Sequence, residues 1–264
     1  MSPEPADDPA SEEGEQLAEG TLLSHLVELR TRLLRASAAV LVMFLALVAF
    51  SEDIFAIVAT PLINQLPGEE MIATGVASPF LTPFKLTLFV ALFLAMPVVL
   101  YQLWAFVAPG LYRREKRFAI PLVASSIVLF YLGIAFAYFV VFPLMFGFFA
   151  AVTPEGVRMM TDISEYLDFI LTIFLAFGIA FEVPIATVLL VGSGLTSPKA
   201  LGQARPYVFL GAFVGGMLLT PPDAISQTLL AVPVYLLYES GILLSKFMVS
   251  REPAEEAEDS TEPA

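Results

Sequence analysis

The sequence predicts an all-α membrane protein of six transmembrane helices, with the last two spans short, both termini cytoplasmic and an amphipathic interfacial helix at the N-terminus. Three observations predict it. Of 264 residues, 58% are hydrophobic and 15% charged, and the mean hydropathy is +0.81, far from the balance of a water-soluble domain. Long apolar runs recur along the chain. Basic residues gather at alternate ends of those runs, the pattern that sets orientation in a bilayer.

The net charge of −13 belongs almost wholly to the two ends. Residues 1–19 carry seven acids and no base, and residues 251–264 carry six acids and one base, so residues 20–250 are close to neutral. Both ends are rich in Glu, Pro and Ala and poor in large apolar residues, so they bury too little surface to offset ordering entropy. Residues 1–20 and 251–264 are therefore predicted to be disordered tails around a single membrane domain, 21–250. A cleaved signal peptide would begin with a basic patch before a short apolar core; the acidic N-terminus argues against one, and the chain is expected to insert whole. No cysteine occurs, which excludes disulfides, thiolate metal sites and thiol nucleophiles.

Crossing a hydrocarbon layer of about 30 Å takes about 20 helical residues, and loops cannot face lipid. The spans predicted are 33–51, 84–104, 118–142, 166–191, 206–220 and 224–247. The fifth is short, because an apolar run of fourteen residues, 206–219, rises only about 21 Å. Eleven of the thirteen Lys and Arg residues lie on one side, including Arg30, Arg32 and Arg35, the cluster Arg113, Arg114, Lys116 and Arg117, and Lys199, Arg205, Lys246 and Arg251. Only Lys85 and Arg158 lie on the other, which puts both termini inside. Residues 52–83 and 143–165 then form long outer loops.

Residues 21–35 read as an amphipathic surface helix, with Leu22, Leu26, Leu29 and Leu33 on one face, bending into the first span. Glu28 and Arg32 are four apart and can pair. Two readings are open: a solvated interfacial helix with a modest ion pair, or a carboxylate presented beside a cytoplasmic groove. Glu115, a lone acid among four bases, is either a local charge partner or a recognition group for a cationic ligand. Glu182 lies inside an apolar run, where a carboxylate costs about 2.5–3.5 kcal/mol on insertion scales and often marks function; otherwise it satisfies a carbonyl freed by Pro184. Thr220, Asp223 and Gln227 form a small polar set in which Asp223 suits a helix N-cap. His25 is the single histidine, and no Walker loop or metal-ligand spacing occurs. Neither catalysis nor a cofactor is expected.

These residues resemble the TatC family, the receptor component of the bacterial twin-arginine protein translocase. The resemblance covers residues 21–250 and is carried by 25–33 (HLVELRTRL), 106–112 (FVAPGLY) followed by Glu115, 135–139 (AFAYF), 177–184 (FGIAFEVP), 205–207 (RPY) and 219–223 (LTPPD). It implies a receptor for folded cargo whose signal peptide carries two adjacent arginines, with Glu28 and Glu115 contacting the pair. Guanidinium groups bind carboxylates through paired charge-assisted hydrogen bonds, and lysine lacks that fork. Arg30, Leu33, Phe106 and Pro109 would complete the recognition surface, and Pro61 would lie in an important outer loop. Met217, Thr220 and Gln227 fall where the family docks its single-span partners, TatA and TatB, and Glu182 matches its intramembrane glutamate. The resemblance further implies a bacterial inner-membrane location, self-association in the complex, and energy from the proton-motive force. The acidic tails, and Gly110 where many relatives carry Ala, depart from the pattern. The alternatives are a proton-coupled solute transporter using Glu182, weakened by the absence of internal duplication, and a structural scaffold in which Glu28 and Glu115 are dispensable.

Overall fold

The computed structural model describes residues 9–63, 71–107, 116–154, 161–220 and 223–259. Helix α1 (Pro9–Leu47) passes through a 3-10 turn (Val48–Phe50) into α2 (Ser51–Ile63). A two-residue strand β1 (Met71–Ile72) precedes α3 (Ser78–Val107), and α4 (Lys116–Phe136) continues through a π-helical turn (Ala137–Val141) into α5 (Phe142–Val152). Strand β2 (Thr161–Asp162) leads to α6 (Ile163–Ala180), α7 (Val183–Gly192), α8 (Pro198–Leu219) and α9 (Ala224–Asp259).

Among the described residues five stretches are long and apolar enough to cross a membrane: Ser24–Ile57, Ser78–Val107, Ile120–Val152, Ile163–Gly192 and Ala224–Phe247. They overlap five of the six predicted spans. The remaining one, the fifth, is α8, which carries Lys199 and Arg205 and falls outside that set. Its predicted shortness needs correction: the helix has 22 residues, a rise of about 33 Å, because Ser197 caps it two turns ahead of the apolar run by accepting from Ala200 N at 3.2 Å. The last apolar stretch, at 24 residues, is not short either.

Two other expectations change. Residues 21–35 do not bend away from the first span; α1 is one helix through them, since no Gly or Pro interrupts residues 21–47. The presumed outer loops are partly helical, holding α2 and α5. Helical backbone also extends into both acidic ends, to Pro9 and Asp259, in keeping with the helix-forming Glu and Ala that fill them.

The buried interior lies between α3, α4, α5, α6 and α9. One aromatic-rich cluster gathers Phe142, Met145, Tyr166, Ile170, Phe174 and Phe177, and a second gathers Leu100, Trp104, Phe130, Ile185 and Leu189. By contrast α1 packs chiefly on α3 and exposes Leu26, Val27, Leu34, Leu41 and Leu45, a face suited to lipid. Helices α4 and α6 cross at a pair of glycines. A Cβ on Gly133 would stand 2.5 Å from Phe177 O, and one on Gly178 would stand 2.5 Å from a Phe130 ring carbon. On the far side of the bundle Gly241 of α9 packs so closely on α7 that a Cβ would overlap Thr187 Oγ1.

Ahead of α3 and α6 one carboxylate ties two segments together. β1 and β2 pair in parallel, Met71 opposite Thr161 and Ile72 opposite Asp162. Asp162 Oδ2 accepts from Thr74 N and Thr74 Oγ1, each at 2.7 Å, while Oδ1 caps α6 by accepting from Ser164 N at 2.8 Å and Glu165 N at 3.3 Å. The Thr74 hydroxyl and amide, helped by the two helix amides, hold the Asp162 carboxyl at a pKa of about 2.

Two outcomes are expected. Gly133→Ala forces α4 and α6 apart at a backbone contact, and over-packing of this kind costs about 1–3 kcal/mol, read as a lowered unfolding temperature in detergent. Asp162 is depressed in the fold, so its clamp is complete above an unfolded pKa of about 3.9 and is lost as pH falls through the folded value. Hydrogen exchange at Thr74, Ser164 and Glu165 should accelerate between roughly pH 4 and 2 relative to the core, and Asp162→Ala should show that acceleration at neutral pH.

Candidate functional site

Two polar sites interrupt the apolar body, one where α1 meets the end of α3 and one where α6 breaks into α7.

At the first, helical spacing sets Glu28 and Arg32 one turn apart on α1. Arg32 donates to Glu28 Oε1 from Nε at 2.9 Å and from Nη2 at 2.6 Å. Its third nitrogen, Nη1, reaches across to Gln102 Oε1 on α3 at 3.5 Å. One turn beyond Gln102, Phe106 stacks on His25 with ring centroids 4.4 Å apart and planes 20° from parallel. The ion pair alone contributes little, about 0.2–1 kcal/mol for partly exposed partners. Its consequence is geometric: a carboxylate on α1 already holds a guanidinium group beside an aromatic stack. Leu33 is exposed, as is Arg30, so both are open to a ligand lying along α1. Pro109 and Glu115 lie outside the described residues, as do Gly110, Arg113 and Arg114.

The second site is built by a helix break. Pro184 has no N–H to continue the α6 ladder, so the chain turns at Phe181 and Glu182 before α7 begins. Glu182 N is satisfied by Ile179 O at 3.0 Å. The turn directs the Glu182 side chain inward, where it is 8% exposed. Ser126 of α4, fully buried, donates to Glu182 Oε2. Trp104 of α3 donates from Nε1 to Ser126 Oγ at 2.7 Å. Three helices thus converge on one carboxyl group, while its other oxygen, Oε1, is buried without a hydrogen-bond partner among the described residues.

The remaining predicted residues fall elsewhere. Asp223 caps α9, accepting from Ile225 N at 3.1 Å and Ser226 N at 2.7 Å. Thr220 ends α8 and donates to Gly216 O at 2.9 Å, and Gln227 Nε2 donates across to Phe213 O at 3.1 Å. Gln227 packs on Gly216, where a Cβ would meet its Cγ at 3.3 Å. Gln227 therefore ties α9 to α8, while the Thr220 bond stays within α8, and Met217 is half exposed on α8. Pro61 is helical within α2.

Sequence reasoning missed Gln102, Trp104 and Ser126. A lone tryptophan and a serine in apolar runs were the available signals, since each buried donor needs an acceptor. It also missed Glu239, the partner of Arg205, whose Nε and Nη2 lie 2.7 Å from its two oxygens and pin α8 to α9.

Comparison with known proteins places this geometry. Residues 24–233 match the family described as Sec-independent protein translocase protein (TatC). The chain is 62% identical over 243 residues to the Sec-independent protein translocase protein TatC of Azotobacter chroococcum mcd 1, covering 92% of this chain and 95% of that one. It is 59% identical over 231 residues to the protein of the same name from Escherichia coli K12, covering 87% and 90%. A crystal structure of the twin-arginine translocase receptor TatC superposes with a TM-score of 0.76 at 39% identity, covering 84% of this chain and 98% of that one. Sequence and fold agree over nearly the whole membrane domain, and the chain belongs to the TatC family of Sec-independent protein translocase proteins.

Proposed function

We propose that this protein is the receptor of a twin-arginine translocase: it binds the signal peptides of folded cargo at the α1–α3 end and, with single-span partners, passes that cargo across a bacterial inner membrane. The observation that carries the reading is Glu28, a carboxylate that already accepts two hydrogen bonds from a guanidinium group. A signal arginine takes over those bonds from Arg32, whose Nη1 is already directed at Gln102. Glu115, on the loop that follows α3, receives the second arginine. Arg30, Leu33, Phe106 and Pro109 line the peptide's path, with the His25–Phe106 stack as its apolar floor.

In this reading α8 makes a sixth crossing, both termini are cytoplasmic, and Arg113, Arg114, Lys116 and Arg117 turn toward lipid head groups rather than toward the cationic peptide. Gln227 already crosses the α8–α9 seam with a polar contact, and Thr220 is buried at the end of α8. With the exposed Met217, that seam docks TatA and TatB, or one TatA-like subunit serving both roles, and Pro61 supports the outer loop. Copies of the chain associate in the complex. The proton-motive force supplies the energy, and conduction needs the partners.

The test is binding of a synthetic signal peptide to the purified protein in detergent. A charge-assisted hydrogen bond contributes about 1.5–3 kcal/mol, so Lys-Lys in place of Arg-Arg, Glu28→Ala and Glu115→Ala should each weaken binding by about 10- to 100-fold. Equal affinity across all four combinations would remove both carboxylates from recognition and reopen the solute-transporter reading.

A further inference from the structure

Gln102, Trp104 and Phe106 occupy little more than one turn near the end of α3. Gln102 and Phe106, four apart, face α1, where they meet Arg32 and His25. Trp104 points the other way, 5% exposed, into the cluster with Leu100, Ile185 and Leu189. An indole N–H can only donate, and a serine hydroxyl has one proton. With Trp104 donating to Ser126 and Ser126 donating to Glu182, the chain runs one way and ends on Glu182 Oε2.

We propose that Trp104 is a positioning residue: through Ser126 it aims the Glu182 carboxyl group, and through its place between Gln102 and Phe106 it couples that aim to occupancy of the site at Glu28. This rests on the reading that a signal arginine binds there. Displaced from Glu28, Arg32 settles fully on Gln102, which is 9% exposed, and α3 adjusts at that turn. A packed interior does not deform smoothly, so a small shift of α3 is resolved by exchanging one hydrogen-bond arrangement for another. The contact free to change is the one at Glu182, because its second oxygen is unmatched among the described residues and gains from any arrangement that gives it a donor. Occupancy at one end of α3 thereby changes the direction of an intramembrane carboxyl group through contiguous contacts, the physical basis a coupling claim requires.

Trp104 is the chain's only tryptophan, so its emission reports on its own hydrogen bond. The experiment uses the full chain in detergent, a tryptophan-free twin-arginine peptide carrying a label read independently of tryptophan, and the variants Ser126→Ala, Ser126→Thr and Gln102→Leu. Peptide binding is expected to shift Trp104 emission in the native protein. Ser126→Ala should show a displaced emission maximum without peptide, no further shift with it and, in cells that also supply the single-span partners, impaired transport; Ser126→Thr, which keeps the hydroxyl, should restore all three. Gln102→Leu should bind peptide with no spectral response. Saturable binding with unchanged emission, or Ser126→Ala indistinguishable from native in spectrum and transport, overturns this proposal alone. No binding to the native protein removes the receptor reading and this proposal with it.

Discussion

A carboxyl group inside hydrocarbon has no water to satisfy it, so protein donors must be brought to it, and in this chain three helices arrange themselves to do so. Glu182 requires Ser126, Ser126 requires Trp104, and these residues come from the α6–α7 break, α4 and α3. A polar atom left unmatched in such surroundings costs several kcal/mol. Separating the three helices would therefore leave Glu182 Oε2, the serine hydroxyl and the indole N–H without partners. Much of the bundle can be understood as the packing that keeps those residues within reach.

The glycines supply that packing. Hydrocarbon chains are as apolar as leucine, so helices associate in lipid by close approach rather than by hydrophobic burial. At Gly133 the backbone of α4 meets that of α6 directly, and at Gly178 the Phe130 ring of α4 packs onto the bare α6 backbone; Ser126 stands two turns along α4 from that crossing. Gly241 does the same for α9 on α7. The two crossings flank the break at Glu182 and hold it from opposite sides. Helix α1, by comparison, packs chiefly on α3, with Arg32 bonded to Gln102 and His25 stacked on Phe106 near the end of α3.

Local signals were strong wherever a local rule governs. Apolar runs located five of the crossing helices, because length and hydropathy alone decide what can lie in a bilayer. Spacing of four paired Glu28 with Arg32, and Asp223 after two prolines became the α9 cap. The errors came where neighbouring chain decides. Ser197 starts α8 two turns ahead of its apolar portion, and uninterrupted helix formers carry residues 21–35 straight into the first span. The clamp at Asp162 was invisible because its partner, Thr74, is 88 residues away in sequence.

By itself the sequence determined the class of the protein, the placement of its crossing helices, the depth of Glu182 and the pairing within α1, since each follows from composition, periodicity or a fixed helical offset. Only the tertiary structure decided which residues surround the two functional candidates. Gln102, Trp104 and Ser126 carry no motif of their own, and they matter because helix crossings bring α1 beside α3 and set α4 between α3 and the α6–α7 break. Hydrogen bonds between residues 22, 56 and 70 positions apart depend on how backbones approach in three dimensions, which no one-dimensional pattern encodes.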